Sequence, residues 1–140
     1  MIDRDLVDEL DATSLRIGAI TKLPSEAADE YVRRLAATYV ADPSSLWWWT
    51  SLKVRAVHQP YGKADGLSRL AELIGKRNDA VLIVTDDEQS TWSVYAGDVQ
   101  SIISMLRQSR FFEYILAARD GSWIVFDTHT NELVSAGLDA

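Results

Sequence analysis

Cysteine is absent from this 140-residue chain, histidine and methionine occur twice each, and proline three times. Without cysteine there is no disulfide, no thiolate nucleophile and no cysteine-based zinc site; redox grounds leave the compartment open. Basic residues are also scarce, 14 against 21 acidic ones, for a formal net charge of −7. Affinity for a phosphate backbone needs a basic stripe that releases counterions, so no nucleic-acid partner is expected. No segment approaches the roughly 18 consecutive apolar residues of a membrane span. The opening MIDRDLVDEL is acidic and lacks an apolar signal stretch, and the expectation is a cytoplasmic protein with no membrane association. GxGxxG, Walker, GxSxG and HExxH patterns are missing, and no histidine cluster has metal-ligand spacing. Neither cofactor nor metal is expected, and catalysis is not the leading reading.

What remains is ordinary globular material, 47% hydrophobic and 25% charged, enough for a single domain spanning 1–140. Residues 1–45 read as mostly helical and 46–137 as sheet-forming. A first short helix starts at an Asp3 cap, with Leu6, Val7 and Leu10 on one side. Leu15, Ile17 and Ala19 fit helix or strand equally. Pro24 and Ser25 open a second helix with an Ala28, Tyr31, Val32, Leu35, Tyr39 stripe, ended at Asp42-Pro43. HQPYGKADG is a turn-rich connection. Leu67, Leu70, Ala71 and Ile74 repeat at helical spacing up to Gly75. AVLIVT, residues 80–85, is apolar throughout, the pattern of a strand buried in mid-sheet. TWSVY makes a further strand, and Asp98 caps a helix carrying Val99, Ile102, Ile103 and Leu106 inward. The sum is an α+β domain, a mainly antiparallel sheet of five or six strands with three or four helices packed on it.

The last third fixes a register. Asp120-Gly121 is a two-residue hairpin signal, and facing residues then sum to 241: Leu116 with Val125, Tyr114 with Asp127, Phe112 with His129. Opposed residues share a face, so Phe112, Tyr114, Leu116, Trp123, Val125, Asp127 and His129 lie on one face and Phe111, Glu113, Ile115, Ile124, Phe126 and Thr128 on the other. A third short strand follows from Leu133 to Ala136. Tyr114, Asp127 and His129 thus form a polar cluster at the open end of the hairpin, backed by Glu113. A buried carboxylate needs hydrogen-bond donors, and Asp127 could take them from Tyr114 and His129 as a structural knot. In the functional version Asp127 orients His129 toward a ligand or a proton.

Two other groups are candidates for partner binding. In SLWWWTSLKVR, read as a strand from Leu46 to about Val57, Trp48, Leu52, Val54 and Ala56 face inward, and Trp47 and Trp49 face the polar side. There they are either covered by the N-terminal helices or present an aromatic pair to a partner; a bulge at Thr50-Ser51 would swap the faces. Asp86, Asp87 and Glu88 form either a solvated turn or an acidic lip for a basic partner.

The order and spacing of WWWTSL, YGKADGLSRL, LIVTDDEQSTWSVYAG, FFEY and WIVFDTHTNEL resemble a family of small uncharacterised bacterial proteins, from about Leu46 to Gly137. The resemblance implies an association with toxin immunity. The chain departs from the pattern near Trp92, where a proline is expected, and at Thr130, where a second histidine is usual. The leading expectation is a small protein-binding domain, an immunity-type inhibitor of a toxin partner carrying a basic domain. The alternative is a small-molecule-binding or hydrolase-like protein using Tyr114, Asp127 and His129. A homodimer held by exposed aromatic residues is the third option.

Overall fold

Residues 79–84, DAVLIV, alternate between two separate apolar layers, so both faces of this strand must be covered. Ala80, Leu82 and Val84 belong to one buried cluster and Val81 and Ile83 to the other. The computed structural model describes residues 4–42, 48–84, 92–109, 114–128 and 130–138. Its elements are α1 (Arg4–Ile17), β1 (Ile20–Lys22), α2 (Ser25–Tyr39), a 3₁₀ turn (Trp48–Thr50), β2 (Val57–Pro60), α3 (Gly66–Ile74), β3 (Asp79–Val84), β4 (Ser93–Asp98), α4 (Val99–Arg107), β5 (Tyr114–Ala117), β6 (Ile124–Asp127) and β7 (Glu132–Ala136).

The seven strands form one sheet in the order β1-β4-β3-β5-β6-β7-β2, antiparallel at every junction. The result is the expected α+β domain with one or two strands more than the sequence reading. Helices α1, α3 and α4 cover one face, through Leu10, Leu70, Ile74, Val99, Ile102 and Met105. Helix α2 and Trp48 cover the other, through Ala28, Tyr31, Leu35 and Tyr39. Two α2 tyrosines also reach past the apolar layer: Tyr31 donates to the Ala118 carbonyl at 2.5 Å and Tyr39 to that of Gly121 at 2.7 Å. They pin the helix to the β5–β6 turn. On the opposite face Tyr95 donates to Asp11 of α1 at 2.6 Å, and Lys22 pairs with the same carboxylate at 3.0 Å. Among the described residues no helix is long and apolar enough to cross a membrane.

Local chemistry sets the ends of these elements. Asp98 accepts the Ser101 N–H at 2.7 Å, capping α4; Asp65 accepts that of Leu67 at 3.1 Å, capping α3. Gly18, at φ 81°, ends α1, which resolves the ambiguous stretch: Leu15 and Ile17 are helical, and the strand begins only at Ile20. The Asp3 cap and the Leu6 and Val7 side chains lie outside the described set.

Two expectations need correcting. The β5–β6 register is the one the 241 sum gives, but the loop is not the two-residue turn. Gly121 N–H donates to the Ala118 carbonyl and Ala118 N–H to that of Trp123, both at 3.0 Å. Arg119 and Ser122, expected as the closing pair, therefore belong to a four-residue loop built on a turn. Opening one pair leaves the register of all the others unchanged.

From Trp48 on, the tryptophan segment is not a strand. Trp48–Thr50 is a 3₁₀ turn, Leu52 makes only an isolated bridge to Val40, and pairing in the sheet starts at Val57, the expected end of the strand, and runs on through His58–Pro60 of the stretch read as a connection. The backbone polar groups are satisfied locally. Ser51 N–H donates to Trp48 at 2.9 Å, Lys53 N–H to Tyr39 at 2.9 Å, and Ala41 N–H to Ser51 at 2.7 Å. The segment thus folds back on the end of α2. In a 3₁₀ turn successive side chains diverge by about 120° rather than alternating, so parity does not sort them. Trp48 is in the core as expected, with its ring 4.9 Å from that of Trp92. Trp49 is half-buried against the same cluster, whereas Val54, expected inward, is exposed.

Trp48→Ala should therefore cost about 3–5 kcal/mol, the range for emptying a buried aromatic site, and Trp49→Ala about 1–2 kcal/mol, in proportion to its smaller burial. Urea unfolding of both variants checks this; equal losses would contradict the packing described.

Candidate functional site

At the end of the sheet where β5 starts and β6 stops, the apolar layer beneath α3 and α4 gives way to polar groups. Tyr114 and Asp127 are direct cross-strand partners, each only 4% exposed. The side of Asp127 that faces away from the ladder receives a third residue. Tyr61, just past β2, donates its hydroxyl to Asp127 Oδ1 at 2.7 Å. These three residues line a cleft of about 650 Å³ together with the 62–67 turn, the last turn of α4 and Asn131. Its rim carries Asp65, whose carboxylate accepts from Ser68 at 2.7 Å and from Arg107 at 3.1 Å. The Ser68 and Arg107 hydrogen bonds hold the Asp65 carboxyl down to about 2. Lys63 stands on the same rim, exposed. Tyr61 also forms one wall of a second depression, lined by Gln59, Pro60, Arg69, Glu72 and Leu73.

The local sequence explains why Tyr61 can lie where it does. Its N–H donates to the Asn131 carbonyl at 2.9 Å, and its carbonyl accepts from Ala64 at 2.8 Å, so a tight turn starts at the tyrosine. The ring then passes over the first residue of α3. A Cβ on Gly66 would sit 2.7 Å from Tyr61 Cζ and 3.0 Å from its hydroxyl. Gly66 is not in the left-handed region, so it is the tyrosine ring, and not the backbone conformation, that a side chain here would have to displace.

Burial raises the Tyr114 hydroxyl well above the usual phenol range, and the Asp127 charge adds to it. Tyr61 is raised first by burial and then by its bond to Asp127. A phenol held neutral is a donor, and a buried carboxylate requires donors.

The open-end cluster of the hairpin is thus present in two of its expected members, Tyr114 and Asp127. Tyr61 is the member that sequence reasoning missed. The signal was an aromatic residue between turn formers, Pro60 and Gly62, with a glycine five positions on. His129 and Glu113 lie outside the described residues, as do Trp47, Asp86, Asp87 and Glu88. Trp49 sits on the opposite face of the sheet from the cleft. His58 is on the exposed edge strand β2, 3.2 Å from Glu132, and takes no part in the cleft. Thr130, where the resemblance expected a histidine, brings its hydroxyl to 2.9 Å from that of Thr128 and so helps close the β6–β7 turn. Among the described residues no group of three acidic or histidine side chains could hold a metal ion.

Two outcomes follow from this geometry. Gly66→Ala should destabilise the wild type by displacing the Tyr61 ring, yet be neutral or stabilising once Tyr61→Ala has removed the ring. A double-mutant cycle by urea unfolding measures that coupling; additive losses would contradict the contact. The second concerns all five tyrosines, Tyr31, Tyr39, Tyr61, Tyr95 and Tyr114, each raised chiefly by burial. A folded-state value above the unfolded one, about 10, means that the folded state holds protons the unfolded state releases. Stability is then complete below about pH 10 and declines above it. In an ultraviolet titration tyrosinate should appear only with unfolding; a tyrosine titrating normally in the folded protein would contradict this.

A family model matches residues 11–139. That match takes in the second half of α1 and all of α2, and so begins earlier than the Leu46 start of the sequence resemblance. No curated protein and no solved structure matches the chain. With nearly its whole length covered, the chain belongs to the family of unknown function DUF6756.

Proposed function

We propose that this protein is a binding protein whose recognition site is the Tyr61–Tyr114–Asp127 cleft, taking a small molecule or a single projecting side chain. The observation that carries this is convergence: two tyrosines and a buried carboxylate from three separate segments meet at the floor of a cleft of about 650 Å³. Sites for small ligands are typically clefts of roughly 300–1,000 Å³ with mostly apolar walls and a few placed polar groups. Leu67, Leu106 and the tyrosine rings supply the walls, and Asp127, Asn131 and Ser109 the polar groups. The hydrolase-like version of this site would add His129 as proton carrier, oriented by Asp127.

A second reading, an immunity-type inhibitor of a basic toxin, is supported by the net charge of −7 and by the half-exposed Trp49. Its test is co-purification and growth rescue with the products of neighbouring genes; no complex and no protection would remove its content.

Ala64 is exposed on the rim, so Ala64→Trp should plug the cleft without disturbing the core. A fragment screen followed by NMR should yield hits that shift cleft resonances in the wild type and are lost in Ala64→Trp at unchanged melting temperature. Hits indifferent to the plug would place binding elsewhere.

A further inference from the structure

We infer that the outer edge of β2, with the groove between that edge and α3, takes an acidic extended segment of a partner protein as an eighth strand. This goes beyond the cleft reading and does not rest on it. Hydrogen-bond phase is the first reason. Strand β2 ends the sheet. Tyr61 N–H donates to the Asn131 carbonyl at 2.9 Å, and the register pairs Gln59 with Leu133 and Val57 with Ser135. Along an antiparallel ladder, successive residues aim their backbone groups at opposite edges, so Val57, Gln59 and Tyr61 bond toward β7. The backbone groups of His58 and Pro60 then point out of the sheet. Thr128 N–H, donating to the Glu132 carbonyl at 3.0 Å, fixes the same phase from the other side of β7. Pro60 thus stands where its missing N–H costs no sheet bond. All four residues of β2 are exposed. To an added strand the edge offers the His58 N–H and the carbonyls of His58 and Pro60.

Faces and charge choose the occupant. Val57 and Gln59 lie opposite Ser135 and Leu133, on the α3 side; His58 and Pro60 lie opposite Val134 and Glu132, on the α2 side. On the α3 side the edge borders a groove of about 610 Å³, lined by Gln59, Pro60, Tyr61, Arg69, Glu72 and Leu73. A strand laid along β2 turns every second side chain toward that groove. The whole chain is acidic, yet residues 51–63 contain Lys53, Arg55 and Lys63 and no acid. Lys53, Arg55 and Arg69 make no ion pair among the described residues. Glu132 is engaged by His58 at 3.2 Å, and Glu72 is the acid of the groove. Cations therefore prevail at this edge. An acidic strand meets them, whereas a second copy of the chain would bring the same cations against its own.

The probe is the capped heptapeptide Thr-Glu-Thr-Glu-Thr-Glu-Thr, acidic and rich in a strand-favouring residue, followed by NMR at millimolar peptide. A form with Lys for each Glu is the charge control. Two N-methylated forms, one methylated at the threonines and one at the glutamates, are the backbone controls. The acidic peptide should shift the His58 amide and its neighbours, and the lysine peptide should not. With glutamates toward α3, an antiparallel strand pairs through its threonine N–H groups and a parallel one through its glutamate N–H groups. One methylated form should therefore lose binding and the other keep it.

Arg69→Glu, an exposed change, should weaken the acidic peptide about fivefold, and Glu72→Lys should tighten it by about as much. Ala64→Trp, which fills the cleft on the other side of Tyr61, should leave it unchanged. Binding kept by both methylated forms, or equal binding of the lysine peptide, overturns the inference. So does loss of binding in Ala64→Trp, which puts the peptide in the cleft. A silent His58 amide at millimolar peptide overturns it too, and leaves the cleft reading standing. Light scattering on the protein alone should show a monomer; a dimer with the His58 amide protected from exchange gives the edge to a second copy and contradicts the assignment.

Discussion

Strands β3, β5 and β6 are apolar on both sides, and every other part of the structure answers to the need to cover them. Ile83 and Leu82 point to opposite layers, as do Ile115 and Leu116, and Phe126 and Val125. A sheet with two apolar faces needs two helical layers. Helices α1, α3 and α4 supply one, and α2 with the Trp48 turn supplies the other. Because α2 is a single helix on its side, the 3₁₀ turn completes the layer. The Trp48–Trp92 ring contact and the Tyr31 and Tyr39 hydrogen bonds are the means by which that face is closed.

The candidate site is where this covering stops. Helix α3 begins and α4 ends near the same edge of the β5–β6 pair, so Asp127 occupies an inward-facing position beyond the reach of the apolar layer. A carboxylate there is tolerable only with donors, and the chain brings Tyr61 across from the turn after β2 to supply one. That in turn favours a glycine at position 66, where a Cβ would push the ring aside. The cleft, the capped start of α3 and the Asp65–Arg107 pair are consequences of one polar group placed at the end of a doubly covered sheet. The Tyr61 hydrogen bond to Asp127 belongs both to the packing of this end of the molecule and to the floor of the cleft, and so links its stability to the chemistry there.

Much of this was legible in the residues. The continuous apolar run at 80–84 announced a doubly buried strand, the helical stripe from Ala28 to Tyr39 announced α2, and the even spacing across Asp120-Gly121 placed Tyr114 opposite Asp127. What failed did so for identifiable reasons. Period-two reasoning assumed that the tryptophans form a strand, whereas a segment bonded to the end of α2 has no sheet partner to impose that period. Tyr61 was hidden because its role comes from a contact 66 positions away in sequence, and nothing local marks such a contact. His58–Pro60 reads as part of a turn-rich connection because it is polar and contains proline, which is also how an edge strand looks.

The most direct test of the central claim uses protein labelled only on its tyrosine rings, which gives five resolvable reporters distributed over both faces of the sheet. On adding a ligand that the protein binds, Tyr61 and Tyr114 should shift together and saturate with one affinity, while Tyr31, Tyr39 and Tyr95 stay in place. Movement of Tyr31 or Tyr39 with Tyr61 and Tyr114 unmoved would put recognition on the α2 face and contradict the account.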